Sequence, residues 1–206
     1  MSQFFNVHPA NPQPRLIKQA VSIIKKSGVI VYPTDSGYAL GCQLADKDAL
    51  QRIRQIRQLD ENHNFTLVCR DLSELATYSL IDNAAFRLLK AHTPGPYTFI
   101  LKATREVPRR LLHPKRDTIG LRVPDSKIVQ CLLAELDEPL MSVTLTLPDQ
   151  EFPFIEAQEI YESLGGRVDL VINGGPCGMT PTTVVDLVDG DPKVLRIGKG
   201  DVKNFT

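Results

Sequence analysis

Two hydroxyls flank a carboxylate at Thr34, Asp35 and Ser36, directly behind Pro33, in the run GVIVYPTDSGYALG from Gly28 to Gly41. Hydroxyls on such a turn can hold carboxylate or phosphate oxygens, and Gly37 and Gly41 permit close backbone approach. Val29 to Tyr32 have the apolar character of a buried strand. Pro33 cannot donate to a ladder, so that strand ends there or reaches a sheet edge. The hydroxyls then lie at the carboxyl end of a strand, where ligands dock in open α/β sheets. Read alone, the segment is equally an ordinary hydrophilic turn.

Recurrence of strand, glycine and hydroxyl or arginine further along favours a ligand site. Pro94-Gly95-Pro96-Tyr97-Thr98 opens a strand through Leu101, and Thr118 to Pro124 brings Arg122 out of an apolar strand. Gly174-Gly175, Thr182 to Asp186, and Val194 to Gly198 with Arg196 complete the series. A guanidinium presents a planar fork that grips a carboxylate or phosphate at two points. The sequence has no GxxxxGK[ST] loop, no GxGxxG fingerprint, no GxSxG elbow and no catalytic Cys and His signature. Positioning and charge stabilisation by arginines and hydroxyls remain, and phosphoryl or nucleotidyl transfer needs least else.

Zero net charge hides an asymmetry. Gln51 to Lys127 carries 14 Lys and Arg against 8 Asp and Glu, whereas Ile128 to Thr206 carries 5 against 13. The densest basic patch comprises Lys102, Arg105, Arg109, Arg110, Lys115 and Arg116, with Glu106 as its one acid. It can attract nucleic-acid phosphates, or it can be a solvated loop whose arginines pair with the acidic last third. Cys42, Cys69, Cys131 and Cys177, like His8, His63, His92 and His113, show no metal-ligand spacing. No structural metal is expected, and the cysteines read as reduced, small hydrophobic residues.

The elements that position these groups follow from periodicity and caps. Asn11-Pro12 can start a helix with Leu16, Ile17, Ala20, Val21 and Ile24 inward. Asp46 caps a second, with Leu50, Ile53 and Ile56 inward and Arg54 and Arg57 toward solvent; Asp71 and Asp82 cap two more. Asp125 or Ser126 starts another, and a further helix spans Glu156 to Leu164. Strands are expected at Phe65–Cys69, Tyr97–Lys102, Thr118–Val123, Pro139–Thr146 and Val168–Ile172, with a late hairpin of Thr182–Val188 and Lys193–Gly198. Pro108 to Leu112 reads as a short helical turn. Strands alternate with helices and then crowd together, which predicts α/β with a mixed, twisted sheet.

At 206 residues, 42% hydrophobic and 23% charged, the chain has the composition of a soluble globular protein. No apolar run approaches the roughly 20 residues that span a bilayer. The amino terminus has no basic flank followed by an apolar core, so the expected location is the cytoplasm.

Taken in order, these segments resemble the YrdC-like family from about Val21 to Gly200, and within it the YciO branch. The resemblance implies one domain over residues 1–206, core about 12–200: an open, twisted mixed sheet with helices packed on it and a basic concave surface. The tail from Asp201 is expected to be too short for the extra domain of longer relatives. Characterised members of the family make threonylcarbamoyl-adenylate from L-threonine, bicarbonate and ATP, releasing pyrophosphate, as a step toward tRNA modification. Thr34 and Ser36 then match the hydroxyl pair of the family's PTxT. Arg122 matches its strand arginine, Thr182 a hydroxyl of its late Ser-Thr pair, and Arg196 an arginine near the nucleotide.

The departures are equally specific. The family's KxR appears as Arg57-Gln58-Leu59, and its SxN as Thr144-Leu145-Thr146. Arg57 and Thr144 would have to stand in for altered contacts, which implies weak or altered synthase activity. ATP is the implied substrate, with Mg2+ as an optional companion, and L-threonine the second ligand. The alternative is a non-catalytic protein that binds double-stranded RNA or tRNA through the basic patch; few exposed aromatics suit shape and phosphate recognition better than base stacking.

Overall fold

A computed structural model gives the architecture and describes residues 2–60, 63, 65–113, 115–148, 150 and 152–205. The strands in chain order are β1 (Gln3–Asn6), β2 (Ile30–Pro33), β3 (Tyr38–Gln43), β4 (Thr66–Val68), β5 (Tyr97–Lys102), β6 (Thr118–Arg122), β7 (Leu140–Thr144), β8 (Leu170–Asn173), β9 (Thr183–Asp186) and β10 (Lys193–Arg196). The helices are α1 (Pro14–Ile24), α2 (Lys47–Arg57), α3 (Leu72–Tyr78), α4 (Asn83–His92), α5 (Lys127–Leu136) and α6 (Ala157–Leu164). Short 3-10 turns lie at Arg109–Leu111, within the expected Pro108–Leu112, and at Gly165–Arg167.

The helix starts follow local chemistry. Carboxylates of Asp46, Asp71 and Asp82 each accept the N–H of the residue three further on, at 2.9, 2.9 and 2.7 Å. The hydroxyl of Ser126, not Asp125, caps α5. α1 begins later than expected, because Pro14 rather than Pro12 takes the first turn, where a missing N–H costs nothing.

All ten strands join one mixed sheet in the order β1-β8-β2-β3-β7-β4-β6-β5-β9-β10. The pairs β1/β8, β2/β8, β4/β6 and β5/β9 are parallel, and the late hairpin β9/β10 is antiparallel, as expected. Two strands escape the sequence reading. β1 pairs alongside β8, and β3 forms a hairpin with β2 through a turn at Thr34–Gly37. Gly41 consequently lies inside the sheet, where a Cβ would meet Leu140 at 2.7 Å and the Tyr32 ring at 2.8 Å. Its glycine serves packing, not ligand access.

The sheet carries two cores. On one face, side chains such as Leu67, Phe99, Leu121 and Met141 pack with apolar residues of α2, α3, α4 and α6. On the other, Ile17 and Val21 of α1 and Val129, Leu132 and Leu133 of α5 pack on Ile30, Tyr32, Ala39, Val68 and Leu140. That second apolar cluster stops at β4. Beyond it the alternation along β7, β4, β6 and β5 places Ser142, Thr66, Thr118, Arg122 and Thr98 on the same face. One face of the sheet is therefore apolar at one end and lined with hydroxyls at the other.

Arg54 and Arg57 do not point simply to solvent. The chain returning from α2 to β4 carries Phe65, whose ring lies 5.3 Å from the Arg54 guanidinium carbon, and both arginines are half-buried. Among the described residues no helix is long and apolar enough to cross a membrane.

Candidate functional site

The turn between β2 and β3 is held by its own hydroxyl. Thr34 Oγ1 donates to the Gly37 carbonyl at 2.6 Å and accepts the N–H groups of Ser36 and Gly37, each at 3.2 Å. This is the local trick of a short polar side chain mimicking backbone. Ser36 Oγ lies 3.2 Å from Thr34 Oγ1 and accepts from both terminal nitrogens of Arg122 at 3.4 Å. Arg122 Nη2 also bonds the Asp35 carboxylate, whose other oxygen accepts the Asp125 N–H at 2.9 Å.

The meeting of Arg122 with this turn comes from tertiary structure. Register aligns Arg122 with Val68, Leu140 and Gln43 across neighbouring strands. In a flat sheet the five steps from Gln43 back to Tyr38 would separate that row from the turn by about 17 Å. The bonds from Arg122 to Asp35 and Ser36 therefore require the sheet to curl between β2 and β6, as accumulated strand twist allows. The chain after β6 then reaches the hairpin, where Ser126 Oγ lies 3.5 Å from the Pro33 carbonyl.

Arg122 is only 7% exposed, and its Nε is buried without a hydrogen-bond partner among the described residues. Thr182, directly before β9, is buried and bonds Thr98 Oγ1 at 2.9 Å. Arg196 donates to the Thr182 carbonyl at 3.0 and 2.9 Å and to its hydroxyl at 3.0 Å. Burial of the Arg196 guanidinium lowers its pKa, and the Arg122 cation lowers it further, so the two arginines feel one another. Lys199 Nζ donates to the Asp35 carbonyl.

Thus Thr34, Ser36 and Arg122 form one contact set, and Thr182 with Arg196 a second beside it. Gly120 lies between Thr66 and Thr98 on β6; a Cβ there would come within 3.0 Å of Thr66 Oγ1 and 3.4 Å of Thr98 Cγ2. Tyr32, at the apolar end of this face, bonds Ser142 Oγ at 2.6 Å, and burial pushes its phenol up to about 12. Asp35 was visible in the sequence as a carboxylate between hydroxyls, but its partner Arg122 stands 87 positions away.

Thr144 and Arg57 are hydrogen-bonded to neither set among the described residues, but Thr144 lies next to the turn, since the following Leu145 N–H donates to the Tyr38 carbonyl at 3.0 Å. Thr144 is exposed at the end of β7, opposite Ala39. Arg57, at the end of α2, has a buried Nε without a partner among the described residues, and desolvation lowers its pKa. Leu59, where the second basic residue of KxR was sought, packs against the hydrophobic core.

The basic patch divides. Arg110 reaches the Ala45 carbonyl and Arg116 bonds Asp186 at 2.8 Å, an acid of the last third. Lys102, Arg105, Arg109 and Lys115 lie exposed on the surface. Among the described residues no group of three or more His, Cys, Asp or Glu is placed to hold a metal ion.

Comparison with known proteins agrees with this architecture. A Sua5/YciO/YrdC family model, described as "Telomere recombination", matches residues 22–198. The "Uncharacterized protein YciO" of Escherichia coli (strain K12) is 62% identical over 205 residues, covering all of both chains, and a protein of Haemophilus influenzae is 59% identical over 206 residues, also in full. The crystal structure of E. coli YciO superposes with a TM-score of 0.96 over the full length of each. P. abyssi Sua5 complexed with L-threonine superposes with a TM-score of 0.90 at 24% identity, over 98% of this chain and 59% of that one, a likeness of fold.

Proposed function

The chain belongs to the Sua5/YciO/YrdC family, and we propose that it binds a nucleotide and L-threonine on the hydroxyl-lined half of its sheet, with a weak or altered L-threonylcarbamoyladenylate synthase activity linked to tRNA modification. The observation that carries this reading is the buried Arg122, bound to Ser36 and Asp35 and with an uncommitted Nε. A carboxylate reaching that nitrogen gains a charge-assisted hydrogen bond in a dry setting. The L-threonine bound to the P. abyssi Sua5 fold supports this choice of carboxylate.

In the proposed reaction the amine of L-threonine adds to bicarbonate with loss of water, and the resulting carbamate oxygen displaces pyrophosphate from the α-phosphorus of ATP. Arg196, beside Thr182 and within the field of Arg122, is the cation we assign to the nucleotide. Mg2+ would enter with the triphosphate. Arg57, at the end of α2, and Thr144, at the end of the central strand β7, would take up the nucleotide. Leu59, committed to the core, supports weakened turnover, since one cation fewer faces the phosphates.

The test is pyrophosphate release dependent on ATP, bicarbonate and L-threonine. Arg122→Ala should abolish it while circular dichroism shows the fold intact; retained release would remove Arg122 from the mechanism. A Leu59→Arg, Thr146→Asn double variant should raise turnover if the altered signatures are what limits it.

The alternative, double-stranded RNA or tRNA bound without chemistry, draws on the exposed cations Lys102 and Lys115. It predicts affinity that falls steeply with salt and a Lys102→Gln, Lys115→Gln variant that binds unrelated duplexes equally weakly. Binding that ignores salt would overturn it.

A further inference from the structure

A cavity of about 840 Å3 lies between the end of β5 and the start of β6, away from Arg122 and Thr182. Its walls divide chemically. Arg105, Arg109 and His113 supply cationic and N–H groups, Val107 and Leu112 an apolar floor, and Asp117 a carboxylate. We propose that it is a second ligand site, for a phosphate monoester of nucleoside-monophosphate type, distinct from the site assigned above and independent of it.

Neither guanidinium has a carboxylate or carbonyl partner among the described residues, whereas their neighbours Arg110 and Arg116 are both engaged within the chain. Both unpaired cations line the same concavity. His113 is held in place from both sides. Its N–H donates to the Thr118 carbonyl at 2.9 Å, and its Nδ1 accepts the Lys115 N–H at 3.2 Å. That bond puts the proton of the neutral ring on Nε2, leaving a donor. Two guanidiniums and an imidazole N–H match the three terminal oxygens of a phosphate monoester.

Asp117 restricts the ligand further. A carboxylate in the same cavity repels a plain anion and requires a hydrogen-bond donor, which vicinal hydroxyls of a ribose supply. The backbone of Asp117 is set in a left-handed conformation, φ 50°, and is tied by its N–H to the His113 carbonyl and by its own carbonyl to the Ala103 N–H. The backbone that carries this carboxylate is thus anchored relative to His113. The apolar floor suits the flat face of a base, and the volume falls within the range of about 300–1,000 Å3 that small-molecule sites occupy.

The test is a backbone amide NMR titration of the full chain with adenosine 5′-monophosphate, with adenosine, inorganic phosphate and a duplex RNA as separate probes. Adenosine 5′-monophosphate should shift the amides of Val107, Leu112, His113 and Asp117 in a saturable way, and adenosine should not. Arg105→Ala with Arg109→Ala, both exposed, should weaken that response at least about tenfold while leaving the spectrum elsewhere unchanged. An Arg122→Ala chain should keep the response, which separates failure of this site from failure of the synthase reading. No shift at these amides, an equal shift with the double variant, or a shift with duplex RNA alone would overturn the proposal. Saturation by inorganic phosphate as tightly as by the nucleotide would overturn the roles given to Asp117 and the floor.

Discussion

Asp35 and Arg122 each keep less than a tenth of their side-chain surface, 8% and 9%, and neutralise one another inside the fold. Removing one member of a buried pair leaves the other charge without compensation, the costly half of the transaction. Asp35→Ala should therefore lower unfolding free energy by about 3 kcal/mol, read from urea denaturation. Asp35→Asn, which keeps an acceptor for the Asp125 N–H, should cost less; equal losses would show that the charge is immaterial. Cys177 lies against the same turn, its Sγ 3.9 Å from the Thr34 carbonyl. Burial pushes its thiol up to about 11, so the thiolate that reacts with alkylating agents is scarce at neutral pH. Labelling of Cys177 by iodoacetamide should rise about tenfold per pH unit from pH 8 toward about 11. A plateau below pH 9 would mean that the thiol is not desolvated.

At the scale of elements, the segment after β10 shapes the site as much as the strands do. A Cβ at Gly198 would stand 2.3 Å from the Pro181 carbonyl oxygen and 2.5 Å from Thr182 backbone. The glycine N–H donates to Thr183 Oγ1 at 3.0 Å, so the close approach is held by a bond. Gly198→Ala should push this segment off Thr182 and loosen Arg196, costing about 1–3 kcal/mol in thermal or urea unfolding. An unchanged midpoint would show that the segment moves away freely. The bulge between Val194 and Arg196 has the matching effect on the strand itself, since it sets Arg196 opposite Val184.

For the whole molecule, the far end of the chain closes the helical layer beside β5. Phe205 is buried, its ring centroid 4.5 Å from His92, 5.8 Å from Tyr97 and 6.3 Å from Phe99. Asn204 adds a hydrogen bond of 3.1 Å to His92 Nε2, and Tyr97 donates to the Asp201 carbonyl at 3.0 Å. Phe205→Ala should cost about 3 kcal/mol in urea unfolding, a core-sized loss from the second-last residue. A loss below about 0.5 kcal/mol would mean that the tail frays in solution.

The amino-acid sequence by itself determined the helices, most strands and the family. Asp46, Asp71, Asp82 and Ser126 cap their helices by bonds that span three residues, and such short-range chemistry is written in local order. The run Thr118 to Arg122 reads as a strand because its apolar and β-branched residues require burial wherever the strand is placed. β3 stayed hidden because Gly41 within YALGCQ and Gly37 just before it resemble a loop until β2 and β7 pair on either side of the strand. Only tertiary structure decided what Arg122 touches. Its meeting with Asp35 and Ser36 depends on how the sheet curls over the strands between them, and the division of one sheet face into an apolar end beneath α1 and α5 and a hydroxyl-lined end depends on the order in which the strands pair. The basic run from Lys102 to Arg116 was likewise one patch in sequence, but folding turned Arg110 to Ala45 and Arg116 to Asp186. Adjacency along the chain carries no information about which way a guanidinium turns once distant partners are brought near.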